Sequence, residues 1–138
     1  MKYLGLDLGT KTLGLAISDP TGLIATSYKI IRHDNEYDRL IEVLKDEILY
    51  NNIDELVLGF PKNMDNTIGE RGQIALSFKE KLEKEIDIPV HMQDERLSTV
   101  EATNLLISND LSRNKRKKVI DSVAATIILQ SYLDKIGR

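Results

Sequence analysis

The chain has no cysteine and no tryptophan, and only 5% of its 138 residues are aromatic. Without cysteine there are no disulfides and no thiolate metal sites, and a cytoplasmic location is the expectation. No stretch approaches the roughly 20 apolar residues that a membrane helix needs. The start, Met-Lys-Tyr-Leu-Gly, runs straight into a strand pattern and is too short and interrupted for a signal peptide. A net charge of −3 argues mildly against wholesale polyanion binding, although local patches can still hold a phosphate backbone. What is present is ordinary for a soluble globular protein: 41% hydrophobic and 30% charged residues, with no repeat, linker or low-complexity tract. One domain spanning residues 1–138 is expected, burying roughly 70% of the unfolded surface.

Periodicity divides the chain into alternating and helical stretches. Tyr3 to Asp7 reads as a strand, with Leu4, Leu6 and Leu8 on one face and Tyr3, Gly5 and Asp7 on the other. A turn at Gly9, Thr10 and Lys11 leads to a second strand from Thr12 to Ser18, and Pro20-Thr21-Gly22 to a third, about Ile24 to Ile31. Tyr37, Leu40, Ile41, Leu44 and Ile48 lie at helical spacing, with Asp34 as the expected N-cap. Glu55 to Gly59 looks like a buried parallel strand. The loop "FPKNMDNTIGERG" precedes a helix through Ile74, Phe78 and Leu82, and Val90 to Asp94 is a further strand. Ser98 with Glu101 has the pattern of a capping box for a helix to about Asn109. A basic segment follows, and then a last helix over about Val119 to Ile136. The order β-β-β-α-β-α-β-α-α predicts an α/β fold, a mixed five-stranded sheet with helices on both faces. Its first three strands are antiparallel and its last two are parallel to the first. The ribonuclease H-like fold and each half of the actin-like ATPases share this layout.

Asp7 ends an apolar strand on a carboxylate, and Asp94-Glu95 ends the last one, so both belong to the rim where open α/β sheets bind ligands. Parity separates the pair. Asp94 shares a face with Val90 and Met92, and Glu95 with polar His91 and Gln93, which favours Glu95 for an open site. Asp121 begins the final helix on the stripe of Ala124, Ala125 and Ile128, where two alanines let the helix lie close to the sheet. Taken singly, Asp7 can begin a turn, Asp121 can be a favourable charge in a helix first turn, and Glu95 can pair with Arg96. Three carboxylates converging from distant segments repel one another unless a divalent cation is bound. All-oxygen ligands favour Mg²⁺ or Mn²⁺, which suits phosphodiester hydrolysis.

The motifs "LGLDLGTKTLGLAISD", "GFPKNMDNTIGERG", "DERLSTVEA" and "KKVIDSVAATIILQSYLD" stand in order over essentially the whole chain. In them the chain resembles the YqgF/RuvX family, the Holliday-junction-resolvase-like nucleases of pre-16S ribosomal RNA. The first motif alone also resembles the phosphate loop of sugar and acetate kinases, whereas "DERLSTVEA" followed by the Asp-x-x-Ala-Ala helix is specific. The resemblance implies a ribonuclease H-like fold with Asp7, Glu95 and Asp121 as catalytic and metal-binding triad, Asp94 being the neighbouring alternative. It also implies Mg²⁺ or Mn²⁺ as cofactor and processing of the 5′ end of pre-16S rRNA, within the small-subunit precursor. Members commonly carry glycine after the Asn-Met-Asp of the second motif. Here Asn66 takes that place, and asparagine tolerates left-handed backbone better than most residues.

Arg113, Lys115, Arg116, Lys117 and Lys118 crowd into six residues directly before the Asp121 helix. They read as a clamp on a phosphate backbone, or alternatively as a solvated loop. Lys11 and Arg96 are further candidates to meet phosphate, and Lys62 and Asn63 are weaker ones. His33 and His91 are isolated and read as structural or surface residues. With so few aromatic residues, recognition through backbone and shape is expected rather than base stacking. Two rival readings remain: a kinase or ATPase, for which one such domain is too little, and a non-catalytic nucleic-acid-binding protein, for which clustered carboxylates would be a cost without a task. A Holliday-junction DNA nuclease is the alternative within the nuclease class. It asks for a two-fold dimer, and monomer and homodimer both remain open.

Overall fold

The computed structural model describes residues 1–61, 67–94 and 113–137, with the side chains of 113–122 outside that description. Five strands form one sheet: β1 (Tyr3–Leu8), β2 (Thr12–Ser18), β3 (Ala25–Arg32), β4 (Glu55–Phe60) and β5 (Val90–Asp94). Their order across the sheet is β3-β2-β1-β4-β5. The pairs β1–β2 and β2–β3 are antiparallel, while β1–β4 and β4–β5 are parallel, as the sequence predicts. Tight turns allow only antiparallel neighbours among the first three strands, and helical crossovers return the last two in the direction of β1. Among the described residues the helices are α1 (Tyr37–Asn51), α2 (Glu70–Glu85) and α3 (Arg113–Ile136). Among the described residues no helix is long and apolar enough to cross a membrane.

Alternation along β1 separates two cores. Leu4, Leu6 and Leu8 pack with Leu40, Ile41 and Leu44 of α1 and with Phe78 and Leu82 of α2. On the opposite face Tyr3 joins Ala16, Val57 and the Ala125, Ile128, Leu129 and Leu133 stripe of α3. Each fully buried leucine or isoleucine contributes about 1.5–3 kcal/mol, so both faces hold their helices firmly. At Gly5 a Cβ would stand 2.8 Å from Leu129 Cβ and 3.3 Å from the Ala125 carbonyl oxygen. Glycine therefore sets how closely α3 approaches the sheet.

Two sequence expectations are corrected. Asp34 does not cap α1. Its carboxylate pairs instead with Lys11, and the helix is preceded by Glu36, which makes no side-chain cap bond. The basic run is not a loop before the last helix, because α3 already starts at Arg113. Lysine and arginine are good helix formers, and no proline or glycine interrupts residues 113–136, so the helix propagates backwards through the charges. The expected helix from Ser98 to Asn109 lies outside the described residues.

Candidate functional site

The carboxyl ends of β1, β4 and β5 share one rim, and β3 runs parallel to them. The rim has a switch point between β1 and β4. The chain leaves β1 through a hairpin to β2 on one side, and leaves β4 through α2 towards β5 on the other. Crevices of this kind are where open α/β sheets take ligands. Asp7, one residue from the end of β1 and only half-buried, is on the α3 face with Tyr3 and Gly5. Its cross-strand partner on β2 is Gly14, which has no side chain to fill the space beside the carboxylate.

The register of α3 on β1 is given by two contacts. The rings of Tyr3 and Tyr132 meet edge to face at 6.1 Å, and Gly5 faces Leu129 and Ala125. The helix therefore runs antiparallel to the strand. Two residues along a strand and one and a half turns along a helix span similar lengths, about 7 and 8 Å. Continuing past Ala125 by one turn brings the α3 backbone at position 121 level with the end of β1. The side chain of Asp121 is outside the described set.

On β5, Val90 and Met92 pack in the α1–α2 core, so Asp94 by alternation belongs to that face and not to the face of Asp7. His91 is on the α3 face, stacked on Tyr132 at 5.2 Å with its Nε2 3.0 Å from Glu55 Oε1. Glu95, Arg96, Lys62 and Asn63 lie outside the described residues. Lys115, Arg116, Lys117 and Lys118 fall with Arg113 in the first turns of α3. Among the described residues no group of three or more His, Asp or Glu side chains could hold a metal ion.

Lys11 stands at the tip of the β1–β2 turn, its Nζ 3.0 Å from Asp34 Oδ1, both side chains largely exposed. Such a pair is worth about 0–1 kcal/mol and yields readily to a phosphate. Beneath it His33 is buried. Its Nε2 donates to the carbonyl oxygens of Gly9 at 2.9 Å and Thr12 at 3.2 Å, and its Nδ1 accepts from the Asn35 N–H. The backbone N–H of His33 also donates to the Lys11 carbonyl. The turn that follows Asp7 is thereby clasped from the β3–α1 connection.

A family model described as RuvX, Holliday junction resolvase, matches residues 1–135. The chain belongs to the RuvX family. A Bacillus licheniformis protein named as a candidate pre-16S rRNA nuclease is 51% identical, over 99% of each chain. Its namesakes in Bacillus subtilis and Clostridium beijerinckii are 50% and 47% identical, each match covering at least 99% of both chains. Among solved structures, Thermus thermophilus RuvC in complex with a Holliday junction substrate superposes with a TM-score of 0.60 at 13% identity. That match covers 99% of this chain and 96% of the other. A likeness at that identity shows the ribonuclease H-like fold.

Two features of this RuvX chain have no counterpart in the sequence reading. The sequence reads His33 as structural or surface, and nothing local signals that its ring reaches the turn after Asp7. Arg71, in the first turn of α2, donates from Nη2 to the Leu8 carbonyl at 2.6 Å, a contact spanning 63 positions. Its only sequence signal is a place inside "GFPKNMDNTIGERG".

Proposed function

We propose that this RuvX chain is a divalent-metal-dependent nuclease that hydrolyses phosphodiester bonds at the 5′ end of pre-16S rRNA in the cytoplasm. Asp7, Glu95 and Asp121 are the proposed ligands. The observation that carries the reading is the placing of Asp7. It lies at the switch point of the sheet, on the face covered by α3, with that helix running back along β1 so that position 121 draws level with it. Asp94 itself belongs by alternation to the α1–α2 face, which makes it the weaker alternative to Glu95.

Hard oxygen donors of this kind suit Mg²⁺ or Mn²⁺, and both histidines are engaged elsewhere, His33 in the turn and His91 on Tyr132 and Glu55. When bound, the cation would supply charge neutralisation, an activated water and stabilisation of the leaving oxygen. The chain's own part is positional. The sheet holds Asp7 rigidly, Gly14 leaves space beside it, and His33 keeps the following turn in place. Lys11, Arg96 and the Arg113 to Lys118 run are the proposed contacts to the phosphate backbone, of which the last leads by one further turn to Asp121.

The names of the relatives favour ribosomal RNA, and the description of the family model favours the four-way DNA junction as the second reading. Cleavage of a labelled 5′-extended 16S rRNA precursor and of a four-way junction, with Mg²⁺, Mn²⁺ or EDTA, separates them. Metal-dependent RNA cutting that disappears in Asp7→Asn is the expected result. Cutting of the junction alone replaces the substrate and keeps the site. If neither is cut, a non-catalytic binding protein becomes the better account.

A further inference from the structure

Arg71 occupies a position that its role in holding the fold does not exhaust. Pairing of β1 with β4 ends at Leu6 and Leu58, and the Leu8 carbonyl lies beyond it, at the mouth of the switch-point crevice. Arg71 crosses from the β4 side to meet it. The crossing is built in by Gly72, where a Cβ would come within 2.7 Å of Ile68 Cγ2 and 3.2 Å of the Pro61 carbonyl oxygen. Only without that carbon can the first turn of α2 lie tightly against the end of β4.

A neutral donor would suffice to satisfy one carbonyl. A guanidinium has five N–H donors in a planar fork that matches phosphate. Among the described residues, no ion pair includes Arg71. Its positive charge is therefore held at the carbonyl of the residue that follows Asp7, at the end of β1. Lys11 flanks the same strand end from the β2 side, through the turn.

We propose that Arg71 binds a phosphate of the nucleic acid across the crevice between β1 and β4, anchored by the Leu8 carbonyl so that the strand is held against Asp7. This rests on the reading of Asp7 as the centre of the site. A charged contact of this kind contributes to affinity and to its salt dependence, whereas a purely structural donor contributes to stability alone.

The test measures binding of a labelled single-stranded fragment of the 16S rRNA 5′ precursor by fluorescence anisotropy over a series of salt concentrations. All variants carry Asp7→Asn so that the RNA stays intact. Arg71→Gln keeps an N–H for Leu8 but removes the charge, and Arg71→Lys keeps both. Expected are a roughly tenfold loss of affinity at low salt in Arg71→Gln and a fall of about 0.7 in the slope of log affinity against log salt, restored in Arg71→Lys. An unchanged slope in Arg71→Gln, or a slope in Arg71→Lys as low as in Arg71→Gln, overturns the proposal. Should Arg71→Gln melt too early to be assayed, the ¹⁵Nε resonance of Arg71 in the chain with native Arg71 is followed on adding the RNA. It shifts if the proposal holds, and a stationary resonance overturns it. Metal-dependent cleavage by the native chain and its loss in Asp7→Asn are measured separately, so failure of the site and failure of Arg71 give different patterns.

Discussion

At the scale of single residues, two positions set strict terms. Gly5 is the point of closest approach between β1 and α3, with 2.8 Å between its virtual Cβ and Leu129 Cβ. Gly5→Ala forces the helix outward, and a cost of about 1–3 kcal/mol is expected, read as a lower midpoint in urea unfolding. Because the same helix carries Asp121, metal-dependent cleavage should fall more than stability alone explains at a temperature where the variant is folded. Glu47 holds together the other side of the molecule. Burial would raise its pKa, but bonds from Lys29 Nζ and Tyr28 Oη at 2.6 Å, with Asn51 Nδ2 at 3.1 Å, hold it below the ordinary carboxyl range. A depressed folded-state pKa means stability that is present above the unfolded value and is lost as pH falls through the folded one. Glu47→Gln should therefore lower the melting temperature at pH 7 by an amount worth roughly 1–3 kcal/mol, and by less near pH 3. Equal loss at both values would show that the carboxylate charge is irrelevant.

At the scale of elements, α3 joins opposed demands. Its apolar stripe fastens it to β1, β2 and β4 through Ala125, Ile128, Leu129 and Leu133, and Gln130 ties it to the start of β3 by bonds to the Ala25 N–H and the Leu23 carbonyl. Its first turn contains Arg113, Lys115 and Arg116 and no acidic residue. Replacing these three by glutamine should weaken RNA binding and flatten its salt dependence. Unchanged binding and salt dependence would make the run a solvated helix face and not a clamp. α2 meets its own constraint at Gly72. Gly72→Ala should displace its first turn from Pro61 and release Arg71 from Leu8, measurable as faster hydrogen exchange at the end of β1.

For the molecule as a whole, the proposed metal site would link cation binding to folding. A cation held only by the folded chain stabilises it by about 2.7 kcal/mol at a hundred times its dissociation constant. For a chain of this size that is a rise in melting temperature of roughly 5–10 °C in saturating Mn²⁺ or Mg²⁺. Asp7→Asn should abolish the rise, and an equal rise in that variant would remove Asp7 from the metal site.

Strand alternation and helix periodicity are local properties, written in residues two, three or four apart. The sequence alone therefore determined the order of the strands, the antiparallel and parallel halves of the sheet, and the face of β1 that carries Asp7. Turn length dictated the first pairings and helical crossovers the last. Motifs in the right order placed the chain in its family. The start of α3 was misplaced because a basic run has no apolar periodicity to reveal a helix that its neighbours propagate. Asp34 had the residue type of a cap but was drawn to Lys11 across the turn. Only the tertiary structure decided which side chains meet at the end of β1. His33 beneath the turn and Arg71 on the Leu8 carbonyl act over 24 and 63 positions, and no local pattern encodes such distances. They follow from the packing of α2 and of the β3–α1 connection onto the rim, where the approach of backbones, set at Gly5 and Gly72, fixes what each side chain can reach.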